Sequence, residues 1–209
     1  MSSHNQNNVT DELLMQAVQS GQLDALGELF ERYHRSTFLF LSRTTGDPAA
    51  AEDLVQEVFV RILKYRDTYD VSSRFETWLF RIARNARTDH FRRTVPMTAS
   101  VDEALDVPTR DDDPAQQFER HVDTRQLERA LQQLGDEPRD LLVLARYHEL
   151  PYDRIAAVLG IEVGAVKVRV HRAIKQLRAL YFRLEDATCV VKTTVKNTVK
   201  NTVSNAAKK

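Results

Sequence analysis

The chain has 209 residues, with 30 Lys and Arg against 30 Asp and Glu, so its formal net charge is zero, and 42% of its residues are apolar. That length and apolar fraction suit one or two ordinary domains with a core, and exclude collagen-like or disordered composition. A lone cysteine, Cys189, excludes a disulfide framework or a paired-cysteine zinc site, and no apolar run approaches the roughly 20 residues that cross a bilayer, Leu141–Ala145 being among the longest.

The opening MSSHNQNNVT is polar, without the charged-then-apolar pattern of a secretory signal, so a cytoplasmic chain with no direct membrane insertion is expected. Residues 1–9 are expected to be disordered. From there the periodicity is helical almost throughout, and no segment reads as strand. The first helix is predicted from Thr10 or Asp11 to Ser20, closed by Gly21. The second is predicted over 23–45, with Leu23, Leu26, Leu29, Phe30, Tyr33 and Leu41 on its apolar side. Gly46-Asp47-Pro48 then supplies a stop, a cap and a first-turn proline. The third helix, to about Tyr65, carries Leu54, Val55, Val58, Phe59, Ile62 and Leu63 at 3-4 spacing. After a loop at 66–73, Ser73-Arg74-Phe75-Glu76 matches a capping box for a fourth helix ending near Arg93. Residues 95–113 hold two prolines and six acids without periodicity, which predicts a linker. Helices are predicted again from Pro114 to about Leu134, from Asp136 and Pro138 to about His148, over 152–159, and over 163–184. The tail repeats K-N-T-V at 196–199 and 200–203; its Thr, Val and Asn favour a disordered basic arm over a marginal helix.

Zero net charge argues mildly against nucleic acid as a partner, but the charge is sorted along the chain. Residues 1–57 carry −6, 74–94 carry +4, 95–120 carry −5, 161–185 carry +4 and 186–209 carry +4. Two of the basic blocks fall on predicted helices, as in a phosphate-binding protein that keeps acidic surfaces for something else.

Ile155-Ala156-x-x-Leu159-Gly160-Ile161 followed by Val166 has helix-turn-helix spacing: a small residue where helices cross, a glycine at the turn, and an anchor for the second helix. At 100° per residue Val166, Val170, Ala173 and Leu177 form one stripe, and Gly164, Val168, His171, Arg172 and Lys175 the opposite side, with Lys167 and Arg178 beside it. A recognition helix needs a buried face and an opposite face of donors. The plain alternative is an amphipathic helix with a solvated basic side. In 74–94 the buried stripe is Phe75, Leu79, Ile82 and Ala86, while Arg81, Asn85, Thr88 and Arg92 share another face, with Arg84 beside them and Trp78 at the boundary. Cations, an Asn and an aromatic suit a nucleic acid with partly exposed bases. A core-edge Trp78 with solvated arginines fits the same pattern.

Ala51-Glu52-Asp53-Leu54-Val55-Gln56-Glu57-Val58-Phe59, then Phe75-Glu76-Thr77-Trp78-Leu79-Phe80-Arg81-Ile82-Ala83-Arg84-Asn85, then Leu150-Pro151-Tyr152-x-x-Ile155-Ala156 and Val163-Gly164-Ala165-Val166-Lys167-Val168-Arg169-Val170-His171-Arg172-Ala173 resemble the extracytoplasmic-function sigma factors of bacterial RNA polymerase. The resemblance covers about residues 10–185. It implies an all-α fold of two small helical domains, a region 2 domain at 10–94 and a region 4 helix-turn-helix domain at 121–185. An acidic flexible linker at 95–120 would join them, and a low-complexity basic tail at 186–209 would follow. It implies that Asp53, Gln56, Glu57 and Phe59 hold the polymerase clamp. Leu54, Val58 and Phe59 are equally what a plain core needs, and Glu52 and Asp53 would complement the helix dipole.

By the same resemblance the 74–93 helix reads the −10 element, with the 66–73 loop taking a flipped-out base so that melting and recognition coincide. Asn85 stands at a base-contacting position, Arg81, Arg84, Arg92 and Arg93 hold phosphates, and Trp78 and Thr88 share that face. Against the −35 duplex, Lys167, Val168, His171 and Arg172 face bases, and Arg169 and Lys175 face phosphates. Ala165, Val168 and Ile174 replace the usual Thr, Ser and Arg or Lys, so the −35 sequence read would differ. The acidic linker would run where nascent RNA later passes, or serve as a solvated spacer. The implied partners are the RNA polymerase core (clamp and flap), promoter DNA and an anti-sigma factor, with the chain monomeric when free or 1:1 with that regulator. No cofactor is implied. A stand-alone helix-turn-helix regulator or a helical protein-binding adaptor would explain parts of the pattern. An enzyme is not expected: the six histidines are scattered, and there is no Gly-rich phosphate loop.

Overall fold

The computed structural model describes residues 9–94 and 124–206. The predicted linker at 95–120 lies outside the described residues, as does nearly all of the expected disordered N-terminus. Four helices come first: α1 (Asp11–Gln19), α2 (Asp24–Thr45), α3 (Pro48–Lys64) and α4 (Phe75–Thr94), with a 3-10 turn at Arg66–Thr68 before α4. The second group holds α5 (described as helical over 124–132), α6 (Asp136–Leu142) running into a π-helical turn at Val143–Tyr147, α7 (Tyr152–Leu159) and α8 (Val163–Ala206). No strand occurs among the described residues.

The local signals explain most helix ends. Thr10 caps α1 by accepting from the Leu13 amide, and Asp47 caps α3 by accepting from the amides of Ala49 (2.9 Å) and Ala50 (3.1 Å). Pro48 occupies the first turn of α3, where no backbone donor is needed. Gly46 and Gly160 end α2 and α7 at φ of 75° and 67°, a conformation that costs a Cβ-bearing residue energy.

Three expectations need correction. Helix α4 starts at Phe75, so Ser73 lies one residue too early to cap it. Tyr69 Oη donates to the Ser73 carbonyl (2.6 Å), fixing the loop as a turn, and the Glu76 carboxylate accepts from Arg154 (2.9 Å) instead of closing a capping box. The helix from Asp136 starts where expected, behind Gly135, but before His148 it widens, with the His148 amide bonded to the Val143 carbonyl five residues back. The tail favoured disorder, yet α8 continues through Ala206. Val, Lys and Thr recurring every four residues extend a helix already nucleated upstream, which removes the initiation cost that makes such a sequence marginal alone.

The two groups share one core. Met15, Leu29, Phe40, Leu54, Val58, Ile62, Phe75 and Leu79 fill the first, and Leu131, Leu141, Leu144, Ile155, Val158, Val166 and Val170 the second, all buried. They meet where α2 and α4 face α6, its π turn and α7. There the Phe80 ring packs edge-on against Phe40 (centroids 5.3 Å) and His148 (4.8 Å). Each of the two phenylalanine rings contributes about 1.5–3 kcal/mol by leaving water. Where α7 and α8 cross, Ala156 and Val166 are both buried, so the helix-turn-helix is packed through the small residue and anchor its spacing requires.

Candidate nucleic-acid interface

Helix α4 presents different residues to different neighbours because 3.6 residues make a turn. Phe75, Leu79, Ile82 and Ala86 are buried, as the stripe predicts. Arg81, Asn85 and Arg92 stand exposed on another face, and Thr88 is half-buried, its hydroxyl donating to the Arg84 carbonyl (2.9 Å). Trp78 belongs to the core side, 5% exposed and packed on Tyr69 (centroids 5.1 Å) and Phe75 (6.2 Å). In this state it supports the 66–73 loop from beneath and presents no open face for stacking. Burial, assisted by nearby carboxylates, pushes the Tyr69 phenol up to about 12, so its hydroxyl remains the donor that pins Ser73.

Two further arginines of the expected −10 set are paired with carboxylates of other helices. Arg84 Nε donates to Asp140 Oδ2 on α6 (2.9 Å), and Arg93 donates to Glu57 on α3 (3.1 Å). Glu57 also accepts from Arg61 Nε (3.0 Å), and Arg61 reaches Asp89 on α4 (2.8 Å). Burial alone would raise the Glu57 carboxyl, but the bonds from Arg61 and Arg93 outweigh it and hold it below the ordinary carboxylate value. On the same α3 surface Asp53 and Gln56 are exposed, whereas Phe59 is buried and meets Phe30 edge-on (4.9 Å). The expected polymerase-facing set thus divides into two open polar groups, one paired carboxylate and one core residue.

On α8, Val166, Val170 and Ala173 are buried and Leu177 is half-buried. The opposite side exposes Lys167, Val168, His171, Arg172 and Lys175, with Val168 50% exposed. Arg169 lies off that side and pairs with Glu137 at the start of α6. An exposed row of cations and a ring nitrogen, backed by a helix packed rigidly on α7, can enter a groove and meet bases and phosphates together.

Pattern reading missed Arg61, Arg87, Asp89 and Asp140, which organise these faces through ion pairs. The available signal was a cation on an apolar stripe: Arg87 follows Ala83 and Ala86 on the core side of α4 and is 2% exposed. No helix among the described residues is long and apolar enough to cross a membrane.

Comparison with known proteins places both faces in one family. The Sigma-70 region 2 family matches residues 29–95, which hold α3 and α4, and the Sigma-70, region 4 family matches 124–177, which hold the helix-turn-helix. The chain is 34% identical over 174 residues to RNA polymerase sigma factor CarQ of Myxococcus xanthus, covering 82% of this chain and 97% of that protein. It is 32% identical over 170 residues to ECF RNA polymerase sigma factor SigW of Bacillus subtilis, covering 77% and 91%. The solved structure of CnrH in complex with the cytosolic domain of CnrY superposes with a TM-score of 0.60 at 28% identity, over 81% of this chain and 96% of that one. The two basic helices therefore sit in the two regions that define these factors, and the chain belongs to the extracytoplasmic-function branch of the sigma-70 family of RNA polymerase sigma factors.

Proposed function

We propose that this chain binds the RNA polymerase core and directs initiation at promoters whose −10 element meets α4 and whose −35 element meets α8. The observation that carries the reading is the pair of exposed polar faces, one in each sigma region: Arg81, Asn85 and Arg92 on α4, and Lys167, Val168, His171, Arg172 and Lys175 on α8. Asn85, with Trp78 and the 66–73 loop behind it, suits unpaired bases. The α8 row suits duplex, where an Arg paired bidentately with guanine supplies roughly 1–3 kcal/mol of discrimination. Arg84, Thr88 and Arg93 join the −10 set, and Arg169 the −35 phosphates, once their internal partners release them. Asp53, Gln56 and Glu57 are the polar contacts to the clamp, with Phe59 fixing the helix that carries them. Region 2 spans 10–94 and region 4 spans 121–185. The chain performs no chemistry of its own and works in the cytoplasm with the polymerase. Just as the solved complex pairs CnrH with CnrY, a dedicated anti-sigma protein controls this chain.

Run-off transcription with purified core polymerase, with and without the chain, tests the reading. Promoter-specific transcripts are expected only when both are present. Tight promoter-duplex binding by the chain alone, with no added initiation, would establish a stand-alone regulator instead.

A further inference from the structure

Val168 lies on α8 opposite the stripe of Val166, Val170 and Ala173 that packs the helix, and half of its surface is open. Packing therefore does not call for an apolar residue there. Helix propensity does not either, since valine forms helix no better than serine or asparagine. Exposed apolar residues occur singly on most protein surfaces, and Val60 and Val71 are two of them here. Val168 differs in its company. At 100° per residue, Gly164, Val168, His171, Arg172 and Lys175 fall within a strip about 100° wide, with Lys167 beside it. All six are exposed. A Cβ added at Gly164, one turn before Val168, would meet nothing within 4 Å, so the space ahead of the valine is open to a close approach.

Base edges in the major groove present hydrogen-bonding groups at almost every position, and the 5-methyl group of thymine is the apolar exception. The methyl groups of a valine set against guanine N7 and O6, or against the amino group of adenine or cytosine, would strip water from those atoms and offer nothing in return. Against the thymine methyl they cover no donor or acceptor, and two apolar surfaces leave water together. A valine in this strip thus discriminates twice, by favouring thymine and by penalising the other bases. Its neighbour fixes where that thymine lies. Arg172 follows four residues later, about 6 Å along the helix at 1.5 Å per residue. Stacked base pairs are about 3.4 Å apart. A helix lying in the major groove therefore sets the two side chains over pairs about two steps apart.

Resting on the sigma reading above, we propose that Val168 is a specificity-determining residue: it packs on the 5-methyl group of a thymine in the −35 element, about two base pairs from the guanine that Arg172 takes. Arg169 and Lys175, on phosphates, fix the position of the helix and carry no information about that base. The element read by this chain accordingly contains one guanine and one thymine at a fixed separation. Serine, the residue usual at this position in the resembling family, can meet a donor or an acceptor, so the valine narrows what is read.

The test uses core polymerase, the full chain and a library of promoters randomised in the −35 element, with transcripts counted by barcode. Wild type should prefer thymine at one position, about two pairs from a position where Arg172→Ala loses a preference for guanine. Val168→Ser, a change at an exposed site, should lose the thymine preference and keep the guanine preference. On the best promoter, deoxyuridine in place of that thymine removes the methyl group and nothing else. Wild-type initiation at subsaturating chain should then fall about fourfold, the effect of one apolar carbon returned to water. Val168→Ser should not distinguish the two templates. Three results would each overturn the proposal and leave the sigma reading standing: no thymine preference that Val168→Ser removes, equal wild-type initiation on the two templates, or an equal fall in both chains, which marks duplex shape rather than contact. If no promoter in the library is transcribed, the sigma reading fails. The same deoxyuridine exchange in duplex selected by binding to the chain alone then decides the methyl contact, a fourfold loss supporting it and equal affinities overturning it.

Discussion

His148 gives the most direct handle on how the two helical groups are held together. Its ring lies 4.8 Å from the Phe80 centroid and 6.1 Å from Phe40, and its Nε2 is buried with no hydrogen-bond partner among the described residues. Burial first, and the positive charge of Arg43 second, push its pKa from 6.5 down to about 4. For a base whose folded pKa is depressed, the unfolded state binds the proton more readily. Its contribution is therefore complete above about pH 6.5 and is lost progressively as pH falls toward 4. Between pH 7 and pH 5 the difference integrates to about 2 kcal/mol, since a tenfold difference in proton affinity corresponds to about 1.4 kcal/mol. Urea unfolding at those two pH values should show wild type losing about 2 kcal/mol more than His148→Leu, whose carboxylates and other histidines titrate alike and cancel. Equal losses in the two chains, or a His148 titration by NMR centred near 6.5, would refute the reasoning.

Three other outcomes follow from named contacts. Arg139 is buried and donates to the carbonyls of Leu131, Thr44, Gln132 and Leu134, so Arg139→Ala should cost about 3–5 kcal/mol by denaturant unfolding, because the Thr44, Gln132 and Leu134 carbonyls lose that donor while Leu131 keeps the Leu134 amide. Asn85→Ala removes an exposed amide from α4 without touching the core; run-off initiation should fall roughly tenfold or more while the melting temperature stays put. Lys175→Ala on exposed α8 should weaken binding to −35 duplex alike for all sequences and reduce the salt dependence, the slope of log K against log salt falling by about 0.9 in binding assays.

What could be read from the chain was local. Asp47-Pro48, Gly46 and Gly160 mark helix ends because each acts within one turn of itself, and the Val166, Val170, Ala173 stripe is buried because helical spacing decides which side faces the core. The family resemblance carried the two regions and their order for the same reason: its motifs are contiguous. Ser73 shows where local pattern misleads. Its capping box is plausible in isolation, but Tyr69 and Arg154 engage the same neighbourhood from outside it. The Asp140 cluster was invisible because Arg87 and Asp140 are 53 residues apart and no periodicity links them. The same holds for the π turn, whose end at His148 packs against Phe40 and Phe80, both far from it in sequence.

The balanced charge of the chain acquires a physical meaning from these pairs. Of the cations proposed to meet DNA, Arg81, Arg92, Lys167, Arg172 and Lys175 stand exposed, whereas Arg84, Arg93 and Arg169 are each paired with a carboxylate of another helix. The pairs differ in what they cost to break. Those of Arg93 with Glu57 and Arg169 with Glu137 are substantially solvated, a setting where ion pairs contribute about 0–1 kcal/mol, so a phosphate can take either cation nearly without penalty. Arg84 is different, because its partner Asp140 is fully buried and shared with Arg87, and releasing it leaves a desolvated charge behind. The exposed cations and the two solvated pairs are therefore available to an approaching phosphate, while freeing Arg84 would leave the fully buried Asp140 with Arg87 alone. A balanced sum of charges thus covers two kinds of cation: those open to solvent and those held by a buried carboxylate.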